Sequence, residues 1–452
     1  MPDTLTTGPA SALRRESVKS FQIHGIGSMV RDLDWLADTL TDLEAAILAN
    51  RPLQTVLSPS LELRSGSCLP PRVGDVVLFR LIDQGAYRDL ETTWGGRVDL
   101  VPGRIYVGVL CERNSTKFFT ASFKDQHLSY DKLVLQFVAQ AGGIGYCTGY
   151  SPSLRQQSGC GRPANVEVLG ILYHQTRREY LNTLSISGLL LSEPPPPQAV
   201  PPTLLIVGTA TDVGKTTLAC RLLQELSKSF CCVAIKASGT AWYEDSQFHA
   251  GSGAAWVVNF SFAGLPTTYY VDPAIYKNSI YSLYQYVVAP DSLPIYKRPP
   301  EARHHDMPRT EVLLVEHGGD ILGADVPAFL EDDYLVDPVK VLIVCCESAL
   351  ALMGALKELR DRRIDSSRTR LYAAMPLVNP HAFLERVAPM IERGMLHGVI
   401  DVNKPADIPE HGWRCGYTSR HTEVINAADM AGLMTTLIKD DLGRNKASDL
   451  VP

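Results

Sequence analysis

Gly208-Thr209-Ala210-Thr211-Asp212-Val213-Gly214-Lys215-Thr216-Thr217 is the stretch that decides how this chain is read. It follows the apolar run Leu204-Leu205-Ile206-Val207 and opens a segment with Leu218, Leu222, Leu223 and Leu226 at helical spacing. A glycine-rich turn therefore joins a predicted strand to a predicted helix. Glycines allow the backbone twist that turns successive amides inward, and a helix start adds partial positive charge. That is a cradle for phosphate. Lys215 is placed to reach β- and γ-phosphates, and the Thr216 hydroxyl to ligate Mg²⁺. Gly208, Thr209, Thr211, Val213, Gly214, Lys215, Thr216 and Thr217 are the candidate phosphate-binding positions. Five residues separate Gly208 from Gly214, one more than the usual spacing. Asp212 is a candidate to orient a nucleophile or accept a proton, with plain solvation in the loop as the competing reading.

Outward from this stretch the pattern repeats. Cys231–Ile235, Val312–Val315, Val339–Val344 and Leu371–Ala374 are short, nearly continuous apolar runs, as in strands buried on both faces of a parallel sheet. Helical spacing recurs in Thr216–Ser227 and in Ala349–Asp361, where Leu350, Met353, Leu356 and Leu359 are the expected apolar face. Alternation of this kind predicts an α/β domain with a parallel sheet. Lys236 and Glu316 fall at the carboxyl ends of two predicted strands, the edge where open α/β sheets bind ligands. A second lysine there neutralises phosphate charge, and a strand-end glutamate holds Mg²⁺ directly or through water. The bland alternatives are a solvated lysine and a surface carboxylate.

The loop Gly-Thr-Xaa-Thr-Xaa-Val-Gly-Lys-Thr resembles that of dethiobiotin synthetase and related P-loop NTPases. Lys236-Ala237-Ser238-Gly239 is similar to that family's Lys-Pro-Xaa-Ala-Ser-Gly stretch, and Val315-Glu316-His317-Gly318-Gly319 to its Glu-Gly-Ala-Gly-Gly. The resemblance implies functional roles for Lys215, Thr216, Lys236, Ser238 and Glu316, with Glu316 and Asp245 as metal ligands beside Thr216. It also implies adenine contacts at Asn379-Pro380 and Ile408-Pro409. Departures are Ala210 in place of a loop aspartate, no proline after Lys236, and His317 where glycine is usual. The stretch from Lys236 to Tyr269 is similar to a branch with an added N-terminal domain that includes D-amino-acid N-acetyltransferases.

Ser192 to Pro202 is proline-rich, so it reads as a stiff connector between residues 1–191 and 203–452. Before it, Asp32–Asn50 has helical apolar spacing, while Val76–Phe79, Ile105–Leu110 and Val166–Leu172 read as strands. A smaller β-rich or α+β domain is expected, in the form of a partly open barrel. Gly142-Gly143-Ile144-Gly145 reads as a turn.

With 452 residues, 45% hydrophobic and 20% charged, the chain has ample core material, and a net charge of −6 speaks against nucleic acid as the main partner. No apolar run is long enough for a membrane span. Ten cysteines without zinc spacing read as buried small hydrophobes in a reducing, cytoplasmic setting. His304-His305-Asp306 reads as a polar loop; the tyrosines Tyr269, Tyr270, Tyr276, Tyr281, Tyr284 and Tyr286 as a packed or substrate-lining face; Met353, Met375, Met390 and Met395 as core.

The leading expectation is an ATP- and Mg²⁺-dependent enzyme that phosphorylates a carboxylate or carbamate of a small amino-acid-like substrate. The alternatives are an amino-acid N-acyltransferase holding acetyl-CoA on the same loop, a polynucleotide 5′-hydroxyl kinase, and a non-catalytic nucleotide switch or metal-insertion chaperone. The first family's habit of dimerising makes a homodimer the expected partner state.

Overall fold

The computed structural model describes residue 49 and residues 61–66, 70–91, 97–124, 126–154, 160–184, 200–288, 309–367, 369–375, 380–401 and 424–448. The expected helix at 32–50 (residue 49 apart), most of the connector, His304-His305-Asp306, Asn379 and Ile408-Pro409 lie outside the described residues. Packing divides the chain into two compact units. The first takes its residues from 1–195, 239–246 and 259–307, the second from 196–238, 247–258 and 308–452. The division thus differs from a single cut at the proline-rich connector, because two later segments pack with the first unit.

The first unit is β-rich. Its strands are β1 (Leu61–Arg64), β2 (Val76–Leu81), β3 (Asp89–Glu91), β4 (Arg97–Asp99), β5 (Ile105–Leu110), β6 (Arg113–Asn114), β7 (Phe119–Ala121), β8 (Val134–Ala139), β9 (Gly143–Gly145), β10 (Cys147–Tyr150), β11 (Ala164–His174) and β12 (Glu179–Tyr180). Strand β8 pairs with both β9 and β11, which closes β11-β2-β5-β9-β8 into a five-stranded barrel. Closure removes the edges that a partly open barrel would leave unpaired. The pairing of β5 with β9 is parallel, and the others in the ring are antiparallel. Phe79 fills the lumen, stacked on Tyr106 at 5.6 Å and tilted against Phe137 at 6.1 Å.

Gly143 to Gly145 form a buried strand rather than the expected turn. The glycines serve close packing: a Cβ on Gly143 would lie 2.6 Å from Cys111 Sγ and 2.8 Å from Ala139 Cβ. The helix Pro273–Val288 also belongs to this unit and buries Tyr276, Tyr284 and Tyr286, whereas Tyr270 is exposed.

The second unit is an α/β sheet. Its strands are β13 (Thr203–Gly208), β14 (Cys232–Ser238), β15 (Trp256–Asn259), β16 (Val312–His317), β17 (Val339–Cys345), β18 (Arg370–Ala374), β19 (Gly398–Ile400) and β20 (Val424–Ile425). They lie in the order β15-β14-β16-β13-β17-β18-β19-β20, and the pairings from β14 to β20 are parallel. The five strands expected from the apolar runs are all present. The three unexpected ones, β15, β19 and β20, are four, three and two residues long, too short for a periodic signal.

Three helices matter for the site: α1 (Lys215–Leu226), α2 (Tyr243–Gly251) and α3 (Ala349–Asp361). In α1 the leucines at 218, 222, 223 and 226 are buried as spaced. The phase of α3 differs from expectation. Its buried stripe is Ala349, Leu352, Ala355, Leu356 and Leu359, so Leu350 is 76% and Met353 49% exposed. Small alanines carry the inner face, and the larger side chains at 350 and 353 misled the pattern. Met353 is therefore not core, while Met390 is buried. No helix among the described residues is long and apolar enough to cross a membrane.

Replacing Phe79 with alanine should lower stability in urea unfolding by about 3–5 kcal/mol, because a buried ring leaves a cavity. Leu350→Ala, on the outer face of α3, should change it by less than about 0.5 kcal/mol.

Candidate phosphate-binding site

The end of β13 and the start of α1 frame the loop. At Gly208 a Cβ would sit 2.9 Å from both Cδ and Nζ of Lys215 and 3.0 Å from Val213 Cγ2. Only glycine there lets the lysine fold back across the strand end. Lys215 is 6% exposed, and its Nζ donates to the carbonyls of Ala210 and Gly319, each at 2.8 Å. Gly214 caps α1 in the left-handed region (φ 84°) and has no side chain of its own to cap the first-turn amides. A helix start of this kind carries partial positive charge suited to an anion. Asp212, an exposed non-glycine residue, also has left-handed φ (59°), a conformation the tight loop imposes. Thr209 is held from two sides. Its amide donates to Cys345 O at 2.9 Å and its hydroxyl to Glu347 Oε2 at 2.8 Å.

Parallel register brings the second strand end alongside. Lys236 of β14 is the direct partner of Glu316 on β16, so their side chains share one face of the sheet. Glu316 is 0% exposed. Its Oε1 accepts from Lys236 Nζ at 2.5 Å and from Thr216 Oγ1 at 2.8 Å. Its Oε2 lies 2.7 Å from Nε2 of His249, a wholly buried residue of α2. Burial alone would push the Glu316 carboxyl up. The Lys236 charge and the His249 contact outweigh that and hold it well below the usual carboxylate range. Glu316 is thus an ionised group inside the protein, neither surface-placed nor unpaired.

The next residue, His317, lies with Nδ1 3.0 Å from Ser238 Oγ and its ring edge-on to Phe329 at 4.6 Å. Burial, with the Lys236 charge adding to it, lowers the His317 pKa to about 3, so the imidazole is neutral. Ser238 also donates to Gly318 O at 3.2 Å. A neutral, weakly basic imidazole is a poor activator of the serine, which argues for a role in shape.

Lys215, Thr216, Lys236, Ser238 and Glu316 are therefore brought together within one unit. Gly208, Thr209, Thr211, Val213, Gly214 and Thr217 line the same turn. Asn379 lies outside the described residues. Asp245 sits in the first turn of α2, in a segment grouped with the first unit. His249 and Glu347 were not anticipated. Neither belongs to a spaced motif, and only the fold carries them to the loop. No cluster of three or more His, Cys, Asp or Glu that could hold a metal occurs among the described residues. Thr216 Oγ1 and Glu316 Oε1, 2.8 Å apart, are hard oxygen donors of the kind Mg²⁺ takes, with water and phosphate oxygens completing its shell.

No family model and no curated protein matches the chain. Solved structures do align with part of it. One is the hydrogenase maturation factor HypB from Archaeoglobus fulgidus, at 12% identity over 53% of this chain and 92% of that one, with a TM-score of 0.27. Another is a ParA family ATPase from Chlorobium tepidum TLS, at 12% identity over 45% and 85%, with a TM-score of 0.26. The strand–glycine loop–helix arrangement in a parallel sheet rests on this chain's own geometry.

Because His317 is held neutral, unfolding lets it take up a proton below its ordinary pKa of about 6.5. Its share of stability should be complete above pH 6.5 and fall progressively as the pH drops toward 3. Urea midpoints at pH 7 and pH 5 should separate less in His317→Gln than in the wild-type protein.

Proposed function

We propose that the protein is an ATP-dependent enzyme that activates a carboxylate or carbamate of a small, amino-acid-like substrate by phosphoryl transfer. The observation that carries this reading is the convergence of two lysines, Lys215 and Lys236, with Thr216 and Glu316 at the start of a helix. Phosphoryl transfer asks little of a protein beyond positioning and cationic clamping of the developing charge. The start of α1 suits the phosphate chain, and Lys215 already lies across the loop. Thr216 and Glu316 would hold the Mg²⁺. When bound, that ion neutralises phosphate charge and orients the transferred group. Ser238, on the same strand as Lys236, is wholly buried against His317 and Gly318 and would shape the strand end. Acetyl-CoA is the competing occupant of the loop.

Thermal-shift measurements with ATP·Mg²⁺ and with acetyl-CoA separate the two. The true ligand at 100 times its dissociation constant should stabilise by about 2.7 kcal/mol. Phosphate release stimulated by amino-acid-like acceptors should accompany ATP binding and vanish in Lys215→Ala. Stabilisation by acetyl-CoA alone, or turnover unaffected by Lys215→Ala, would overturn the reading.

A further inference from the structure

Both oxygens of Glu316 are taken by side chains. Oε1 holds Lys236 Nζ and Thr216 Oγ1, and Oε2 holds His249 Nε2. The carboxylate has no exposure to solvent, and Lys236 is only 7% exposed. His249 is wholly buried, and its remaining ring nitrogen, Nδ1, has no hydrogen-bond partner. Among the described residues the ring's polar partner is Glu316, and that contact orients the carboxylate from the side away from Oε1. The second ammonium of the site, Lys215, bonds to the carbonyls of Ala210 and Gly319, and the nitrogens within ion-pair distance of Glu316 are those of Lys236 and His249.

These facts set a constraint on Lys236. A phosphate needs its ammonium, yet withdrawing that ammonium takes the lysine charge from a buried carboxylate, which is strongly unfavourable. Lys236 can turn to phosphate only if another cation replaces it at Oε1. Thr216 Oγ1, already on that oxygen, is the second donor such a cation would find.

We propose that Lys236 is an exchangeable counter-ion of Glu316, which yields Oε1 only to a divalent cation and only then serves the phosphate, so that metal and phosphate bind as one coupled event. The inference rests on the phosphate-loop reading and deepens it. The site takes polyphosphates that bring their own metal and discriminates against metal-free phosphate esters. His249 acts as a positioning residue for the carboxylate throughout the exchange.

Calorimetric titration of the full chain with ATP, in MgCl₂ and in EDTA, tests this. Wild-type protein should bind at least about tenfold more tightly with the metal, a coupling of ordinary size. Glu316→Gln removes the charge that retains Lys236. Its metal-free affinity should rise above that of the wild type, while the gain from Mg²⁺ disappears. Adding Lys236→Met should abolish that rise. A glutamate that served only as a metal ligand would lose the Mg²⁺ effect with no improvement in EDTA. Unchanged or weaker metal-free binding by Glu316→Gln therefore overturns the proposal. Should that variant fail to fold, the wild-type titrations decide: equal affinity with and without metal overturns the exchange alone. No binding in either condition overturns the phosphate-loop reading as well.

Discussion

A carboxylate held inside a parallel sheet by three side chains is the constraint around which the second unit is arranged. Glu316 cannot be buried as an anion unless Lys236, Thr216 and His249 are all within reach. Each comes from a different element: β14, the first turn of α1, and the last turns of α2. Strand register fixes the first, the glycine loop the second, and the return of the chain before β15 the third. Pairing Glu316 therefore fastens the loop, two helices and two strands at one point. The same residue types would make a phosphate and metal site, so what stabilises the ligand-free fold and what would serve chemistry are the same contacts.

Sequence made much of this legible, for physical reasons that differ by element. Strands β13, β14, β16, β17 and β18 are buried on both faces, and continuous apolar runs signal that strongly. Strands β15, β19 and β20 are too short to do so. Helix α1 displays its buried leucines at plain spacing. In α3 the inner face is built partly from alanine, and the exposed Leu350 and Met353 outweighed it in the pattern. The barrel was visible as strands, but its closure depends on β8 meeting β11 across a separation that no local pattern encodes.

The site divides in the same way. Lys215 and Thr216 are fixed by a local motif, and Lys236 and Glu316 by their positions at the ends of recognisable strands. His249 is a single histidine within an unremarkable helical stretch. Only tertiary placement joins it to Glu316, as it joins Glu347 to Thr209. The candidate ligand-binding residues lie on a local turn or at strand ends, whereas His249 and Glu347, which contact them, come from distant sequence. Motif spacing is informative for the first kind alone.

The path of the chain between its two units has a consequence for how either could exist alone. The backbone leaves the second unit between residues 238 and 239, re-enters it between 246 and 247, and leaves once more between 258 and 259. No single peptide cleavage can part the units while keeping each whole. Trimming at the proline-rich stretch would strip the barrel unit of its helical segment 273–288.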